Sequence, residues 1–200
     1  MTKRLDVAET IAALGRGEVV AVPTDTVYGL AASIARESAI TTLFSLKHRP
    51  SFVPLPLMVG SLTQIHELGV ELNERAQRLA NVFWPGALTI VMTAPEELAR
   101  LMRSPETSVG FRIPDHQVLR DLLEHSGPLA VTSANDHGEP PCHTLEELRS
   151  TFAGRDELAG VLDGGECRGE VSTVVDVSEP EWRVIRERAI TREELEQYLS

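Results

Sequence analysis

Apolar positions along this chain recur with two periods, one typical of helices and one typical of strands. Val7, Ile11 and Leu14 share the three-to-four-residue spacing of one helix face, so residues 6–15 are predicted to form a helix. Residues 18–22 (EVVAV) are a β-branched run that is typical of a buried strand. A polar loop follows this strand, at the place where α/β folds commonly bind ligands.

The same two patterns assign the rest of the chain. Further helices are predicted at 38–46 with Ser38 as N-cap, at 62–83 in two pieces broken near Gly69, and at 95–102, 115–125, 144–152 and 191–199. Further strands are predicted at 55–59, 87–92, 108–113, 128–135, 160–165, 172–177 and 182–186. Strands mixed with helices predict an α/β (α+β) fold, in which helices flank a twisted mixed β-sheet.

Length and composition narrow the class of protein. The 200 residues fit one domain over 1–200, with 42% hydrophobic and 24% charged residues. Acidic residues outnumber basic ones 30 to 19, for a net charge of −11, which argues against broad nucleic-acid binding but allows a local basic cleft.

The compartment is predicted from what the chain lacks. Its two cysteines form no disulfide framework. The N-terminal segment is too polar for a signal peptide, and no apolar run approaches the roughly 20 residues that cross a bilayer. A soluble, cytoplasmic protein without membrane contact is therefore expected.

Polar side chains cluster at strand ends and in extended segments. They are Thr24/Thr26, Lys47/Arg49, Ser108/Arg112, Ser133/Asn135, Ser172 with Thr173, and Arg186. Residues two apart in an extended backbone point the same way, so Lys47 and Arg49 are expected to project to one side. Arginine offers a planar fork to carboxylate or phosphate, lysine a point charge, and hydroxyls further hydrogen bonds. Together they predict an anion site.

Other readings of these residues stay open. Lys47 and Arg49 also fit solvated cations at a helix end, Arg112 fits a half-exposed strand, and residues 132–135 fit a simple turn. Neither glycine-rich nucleotide motif is present, and no metal-ligand spacing occurs, so Cys142 and Cys167 are interpreted as unrelated and no protein-bound metal is predicted. The residues alone predict an anion-binding α/β domain, with an enzyme as the leading interpretation.

Seven motifs in series resemble one family. VPTDTVYGL, LKHRP, WPGALTIV, VGFRIPDH, VTSAN followed by a Gly and PP, DGGECRG with STVVD, and VIRE together resemble the YrdC/TsaC family from about residue 16 to residue 190. The resemblance implies a twisted sheet around a concave, positively charged cavity. It also implies synthesis of threonylcarbamoyl-AMP from L-threonine, bicarbonate (or CO2) and ATP, with Mg²⁺ accompanying ATP and pyrophosphate released.

The resemblance also assigns roles to residues and partners. It implies that ATP is bound by Lys47 and Arg49, which would also be the catalytic cations, together with Ser108, Ser133, Asn135 and Arg186. It implies that threonine is bound by Thr26, Arg112, Thr132 and Ser172. Exchanging Lys47 or Arg49 for Ala is expected to abolish turnover without unfolding the protein. The product would reach tRNA through transient contacts with separate tRNA-modification proteins, and weak RNA binding is a further expectation.

The chain departs from the family pattern at four places: Val53, Met58, the pair Asp136-His137, and Arg188. They concern nucleotide and amino-acid contacts more than the fold. The extra C-terminal domain of the long family form is not expected here. Two alternatives remain: a carbamoyl-adenylate-forming enzyme that uses carbamoyl phosphate, and a non-catalytic RNA-binding or ribosome-assembly module.

Overall fold

A computed structural model describes residues 2–48, 50 and 52–199 of the chain. Its helices are α1 (Val7–Gly15), α2 (Glu37–Leu46), α3 (Leu62–Glu67), α4 (Glu74–Phe83), α5 (Glu96–Leu101), α6 (Gln117–Ser126), α7 (Leu145–Thr151) and α8 (Arg192–Leu199). Its strands are β1 (Arg4–Leu5), β2 (Val19–Val22), β3 (Gly29–Ser33), β4 (Leu57–Met58), β5 (Leu88–Thr93), β6 (Ser108–Arg112), β7 (Leu129–Ser133), β8 (Leu158–Leu162), β9 (Thr173–Asp176) and β10 (Arg183–Arg186).

The helices begin where local hydrogen bonds favour them. The side chain of Asp6 caps α1 and that of Thr144 caps α7, each within a complete capping box. The break predicted near Gly69 is present between α3 and α4, and Gly69 adopts φ +75° there. Ser38 was wrongly predicted as the cap of α2, because this helix begins one residue earlier, at Glu37, with Arg36 in the cap position and no side-chain cap bond.

The ten strands form one mixed sheet in the order β1-β8-β2-β3-β7-β4-β6-β5-β9-β10. The β2–β3, β3–β7, β4–β7, β5–β6 and β9–β10 pairs are antiparallel, while β1–β8, β2–β8, β4–β6 and β5–β9 are parallel. The predicted mixed α/β sheet flanked by helices is confirmed. Strands β1 and β3 were not predicted.

Helices cover the two faces of the sheet unevenly, and this positions the site. Along β2, Val19 and Ala21 pack into the larger core cluster, while Val20 and Val22 pack into a second cluster with residues of α1 and α6. On the sheet face that carries the second cluster, the apolar side chains extend as far as Met58. Beyond Met58 the strands carry hydroxyl groups and arginine side chains on this face. A concavity lined by apolar residues and by these polar side chains therefore lies beside the second core.

No helix in the described part of the chain is both long enough and apolar enough to cross a membrane.

Candidate active site

This part of the sheet face forms a cavity of about 570 Å³ that apolar and polar residues line together. Ser108, Gly110 and Arg112 line it, while Val109 and Phe111 from the same strand are buried in the core, as the alternation of residues 108–113 predicted. A Cβ added at Gly110 would lie 3.0 Å from Cγ2 of Thr89. The missing side chain therefore keeps the cavity floor open.

Seven of the ten predicted site residues line this cavity: Thr26, Ser108, Arg112, Thr132, Ser133, Ser172 and Arg186. They come from segments that lie far apart in the sequence and that the strand order brings together. Among the described residues, Lys47 and Asn135 are not part of the lining but contact Ser133 directly. Arg49 lies outside the described residues, so the direction of its side chain stays a prediction. The extended backbone from which that direction was predicted is wrong, because Lys47 is in the helical region at the end of α2 and His48 has φ +50°.

Arg112 is the best-anchored cation of the cavity. Its Nε donates to the carbonyl oxygen of Gly86 (2.9 Å), one Nη to Oγ1 of Thr26 (3.2 Å) and the other to Oδ1 of Asp25 (2.6 Å). Only 4% of the Arg112 side chain is exposed. Burial lowers the pKa of the guanidinium, and the carboxylate of Asp25 opposes this shift. The reading of Arg112 as a solvent-facing strand residue is therefore wrong.

The Arg112 contacts leave donors for a ligand. Arginine has five N–H donors, and three are used by the contacts that the described residues make with Arg112. The other two N–H groups belong to the two Nη atoms, one to each. A fork end with two N–H groups matches a carboxylate bidentately.

The loop that carries Asp25 and Thr26 is held by its own hydrogen bonds. Oγ1 of Thr24 accepts from the N–H groups of Thr26 (3.0 Å) and Val27 (3.1 Å) and donates to the Val27 carbonyl (2.7 Å). Gly169 packs against this loop so closely that a Cβ there would lie 2.1 Å from the Asp25 carbonyl oxygen. The loop is thus fixed from both sides.

Ser172 and Arg186 form a second polar group. Arg186 donates from Nε (3.1 Å) and Nη2 (2.9 Å) to the carbonyl oxygen of Ser172, and from Nη2 to its Oγ (3.2 Å). Oγ of Ser172 also lies 3.0 Å from Oγ1 of Thr89. Burial lowers the pKa of Arg186, and the positive charges of Arg188 and Arg112 lower it further. The resemblance placed Ser172 with threonine and Arg186 with ATP; here they are in direct contact.

Lys47 is a buried cation, and its reading as a solvated helix-end charge is wrong. Only 2% of the surface of Lys47 is exposed to solvent. Its Nζ donates to the carbonyl oxygens of Ser133 (2.7 Å) and Asn135 (3.0 Å) and to Oδ1 of Asn135 (2.5 Å). Oγ of Ser133 in turn donates to Oδ1 of Asn135 (2.7 Å). These contacts order the turn after β7. The reading of residues 132–135 as a simple turn is wrong for Thr132 and Ser133, which belong to β7.

The charges around the cavity are partly balanced. Arg112, Arg183 and Arg186 line it, together with the carboxylates Glu106 and Asp176. Arg183 lies 2.9 Å from Asp176 and 3.6 Å from Glu106. Arg186 forms no ion pair with any carboxylate in residues 2–48, 50 and 52–199, so it contributes the least compensated positive charge of the lining.

Both cysteines, Cys142 and Cys167, are free and buried, and burial raises the pKa of each thiol. Within the described residues there is no group of three or more His, Cys, Asp or Glu side chains that could hold a metal ion.

Asp25 and Thr89 are site residues that sequence reasoning missed. Asp25 bonds Arg112, and Thr89 bonds Ser172. The signal for Asp25 was its place between Thr24 and Thr26, in the polar loop after a buried strand. Thr89 carried no comparable signal, because it lies inside an apolar strand.

Of the four departures from the family pattern, Val53 and Met58 line the cavity.

Fold, cavity and sequence define one class of protein. The model of the Sua5/YciO/YrdC family, described as "Telomere recombination", matches residues 12–188, and the chain belongs to this family.

The relatives make the comparison more specific. The chain is 37% identical over 185 residues to the threonylcarbamoyl-AMP synthase of Pyrococcus abyssi, covering 92% of this chain and 54% of the relative. It is 35% identical over 193 residues to the enzyme of the same name from Bacillus subtilis, covering 95% and 55%. The chain thus spans about half the length of these two relatives. The crystal structure of P. abyssi Sua5 complexed with L-threonine matches with a TM-score of 0.88 and 35% identity, over 98% of this chain and 59% of that one.

Proposed function

We propose that this chain synthesises threonylcarbamoyl-AMP from L-threonine, bicarbonate or CO2, and ATP, and releases pyrophosphate. The observation that carries the proposal is the fork of Arg112, which lines the cavity, is bonded by Asp25 and Thr26, and keeps two N–H donors for a carboxylate. Family membership and the names of the relatives support it.

The amino-acid end of the cavity is proposed to lie at Arg112. The threonine carboxylate would accept the two remaining N–H groups of its fork, and Thr26 would bound the same end. Thr132 and Ser172 line the cavity and would supply hydroxyls to the same substrate. In a buried site these hydrogen bonds fix orientation as well as affinity.

The nucleotide end is proposed to lie at the turn that Lys47 holds. Ser133 presents this turn to the cavity, with Lys47 and Asn135 directly behind it. Ser108 and Arg186 would add contacts to the nucleotide, and Arg49 is proposed as a further phosphate ligand. Positive charge at this end would stabilise the negative charge that moves onto pyrophosphate in the transition state.

The chemistry requires no protein nucleophile. The threonine amine nitrogen adds to the carbon of CO2 and loses a proton, which gives a carbamate. A carbamate oxygen then forms a bond to the α-phosphorus of ATP as the bond from this phosphorus to the bridging oxygen breaks. The electron pair leaves with pyrophosphate. The residues bind, orient and compensate charge, which is the usual protein contribution to such a transfer.

Mg²⁺ is proposed to accompany ATP. The described residues offer no metal-binding cluster, but the carboxylates of Glu106 and Asp176 line the cavity, and Mg²⁺ commonly keeps waters and substrate phosphates as ligands. The donor set therefore fits an ion held mainly by the nucleotide. When bound, the ion would supply further compensation of phosphate charge.

The product is proposed to serve threonylcarbamoyladenosine formation in tRNA, through transient contacts with tRNA-modification proteins in the cytoplasm. Direct RNA binding would be weak, since the net charge is −11.

Pyrophosphate release tests the proposal. The chain is incubated with MgATP and bicarbonate, with and without L-threonine, and pyrophosphate is followed. Release that depends on threonine supports the proposal. Release that requires carbamoyl phosphate instead would point to the other carbamoyl-adenylate chemistry. Absence of turnover together with salt-sensitive RNA binding would point to a binding module.

A further inference from the structure

A network of side chains outside the cavity joins the end of α2 to the turn after β7. The carboxylate of Asp136 accepts two hydrogen bonds from Arg155, Nη1 to Oδ1 (2.7 Å) and Nη2 to Oδ2 (2.6 Å). The same Nη1 donates to the carbonyl oxygen of Leu46, the last residue of α2 (2.8 Å). One guanidinium therefore holds both segments.

Two further contacts fasten the residues next to Lys47. Nδ1 of His48 lies 3.2 Å from Oδ1 of Asp136, and the N–H of His137 donates to the carbonyl oxygen of Lys47 (3.1 Å). His48 has φ +50°, a left-handed conformation that a residue with a side chain rarely adopts without support. The chain direction directly after Lys47 is thus set by contacts with residues 136 and 137.

The guanidinium is itself restrained. Arg155 lies over the ring of Phe152, 5.0 Å from its centroid, and Phe152 is buried. The hydrogen bonds from Arg155 lower the pKa of Asp136 to about 2, with a smaller contribution from His48. Asp136 is therefore a carboxylate at neutral pH.

These contacts matter because of how Lys47 is bonded. A lysine ammonium has three N–H donors, and the Lys47 nitrogen already faces oxygens of Ser133 and Asn135. A phosphate that binds Lys47 must take the place of one of these oxygens. The exchange removes a bond between α2 and the turn while nucleotide is bound, but the Arg155 and Asp136 contacts remain.

We propose that Asp136 and Arg155 are positioning residues for the nucleotide end of the cavity. They hold the end of α2 and the turn at 133–137 together, so that Lys47 can exchange a protein oxygen for a phosphate oxygen without the two segments separating. The inference rests on the proposed function. It concerns a position, Asp136, at which this chain departs from the pattern of the family.

The test compares the effect of Asp136→Ala on the KM for ATP with its effect on the KM for threonine. In Asp136→Ala, the KM for ATP is expected to rise about 10-fold, while the KM for threonine at saturating ATP stays within about twofold, because the contact lies on the nucleotide side. The midpoint of thermal unfolding should move by only a few degrees, as partly exposed ion pairs carry little stability. A merely structural role would not separate the two substrates.

Matched variants make the result decisive. Glu18→Gln removes another two-bond arginine–carboxylate pair, Arg16 with Glu18 (3.0 and 2.8 Å), and should leave both KM values unchanged. The exchange variant with Asp136→Arg and Arg155→Asp should recover part of the loss for ATP. Equal changes in both KM values, or no change in either, would overturn the proposal.

The inference can fail separately from the proposed function. If the wild-type chain releases no pyrophosphate with threonine, the proposed function fails, and MgATP affinity is measured by equilibrium dialysis instead. Weaker MgATP binding in Asp136→Ala but not in Glu18→Gln would still support positioning. Equal binding by wild type and both variants would overturn it.

Discussion

Arg112 and Lys47 are both buried cations of the candidate site, but the protein holds them differently. Arg112 lines the cavity, is paired with Asp25, and keeps two of its five N–H donors beyond its contacts with the described residues. Lys47 lies behind Ser133 and directs its nitrogen at oxygens of the turn. One cation is ready for an anion, whereas the other must exchange a bond to receive one.

This difference indicates that the two ends respond to substrate in different ways. On the proposed function, the Arg112 end is preorganised, so threonine would bind there with little rearrangement, and changes to Arg112 should alter threonine affinity directly. On the same proposal, the Lys47 end would couple nucleotide binding to the order of a turn, so changes to Lys47 should alter stability and nucleotide binding together.

Arg112→Ala should have the largest effect. It leaves the carboxylate of Asp25 buried without its cation, which costs about 3–5 kcal/mol in the free energy of unfolding. Turnover should fall by about 100-fold or more because the carboxylate fork is lost. Denaturant unfolding and pyrophosphate release measure the two effects. Arg120→Ala breaks the more exposed pair with Asp115 and should cost below about 1 kcal/mol; similar losses in both variants would contradict the account.

Lys47→Met should have the second largest effect. The structure corrects the expectation that Lys47 can be removed without loss of stability. A cleft cation could be removed without unfolding, but Lys47 is buried and its loss leaves carbonyl oxygens of the turn without their donor. The free energy of unfolding should fall by about 1–3 kcal/mol, and turnover should drop by about 100-fold. Lys3→Met, which removes an exposed ion pair with Glu9, is the control. Full stability in Lys47→Met would show that the ammonium does not hold the turn.

Asp25→Asn should change the KM for only one of the two substrates. The amide oxygen can still accept from Arg112, but the charge that orients and compensates the guanidinium is lost. The KM for threonine should rise about 10-fold, equivalent to about 1.4 kcal/mol, with the KM for ATP unchanged. A rise in the KM for ATP alone would place Asp25 at the wrong end of the cavity.

Asp136→Asn should have the smallest effect on stability, and the size of this effect should depend on pH. In the wild type, the folded-state pKa of Asp136 is about 2, below the ordinary value of 3.8, so its contribution to stability is present above that value and is lost as pH falls through about 2. At pH 7 the wild type should exceed Asp136→Asn by up to about 1 kcal/mol. The difference should vanish between pH 4 and pH 2 in acid unfolding curves; a constant difference would remove the ion pair as its cause.

Much of the fold could be predicted because its signals are local. The alternation of residues 108–113 placed Ser108 and Arg112 on the cavity side of β6, and the capping box at Thr144 marked the start of α7. Strand β3 was missed because GLAAS lacks β-branched residues. Its glycine is required by packing instead, since a Cβ on Gly29 would lie 2.6 Å from Cγ1 of Val131.

Most of the polar residues that line the cavity could be predicted from the sequence, but the contacts between them could not. Seven of the predicted residues, which lie on five separate segments and were grouped in part through the family resemblance, line one cavity. The pairing of Arg112 with Asp25, and of Lys47 with the turn at Ser133, depends on contacts between residues 86 to 88 positions apart. Such contacts leave no periodic signal, so burial of Lys47 could not be anticipated from a charged residue at a helix end.

One cavity is proposed to hold the amino acid at Arg112 and the nucleotide at the Lys47 turn. Arg112→Lys tests this proposal most directly, because the variant keeps the charge beside Asp25 and removes the fork. Steady-state pyrophosphate release, with each substrate varied in turn, should show the KM for threonine raised by about 10-fold or more and the KM for ATP within about twofold of wild type. A KM for threonine equal to wild type, or an equal rise in both, would contradict it.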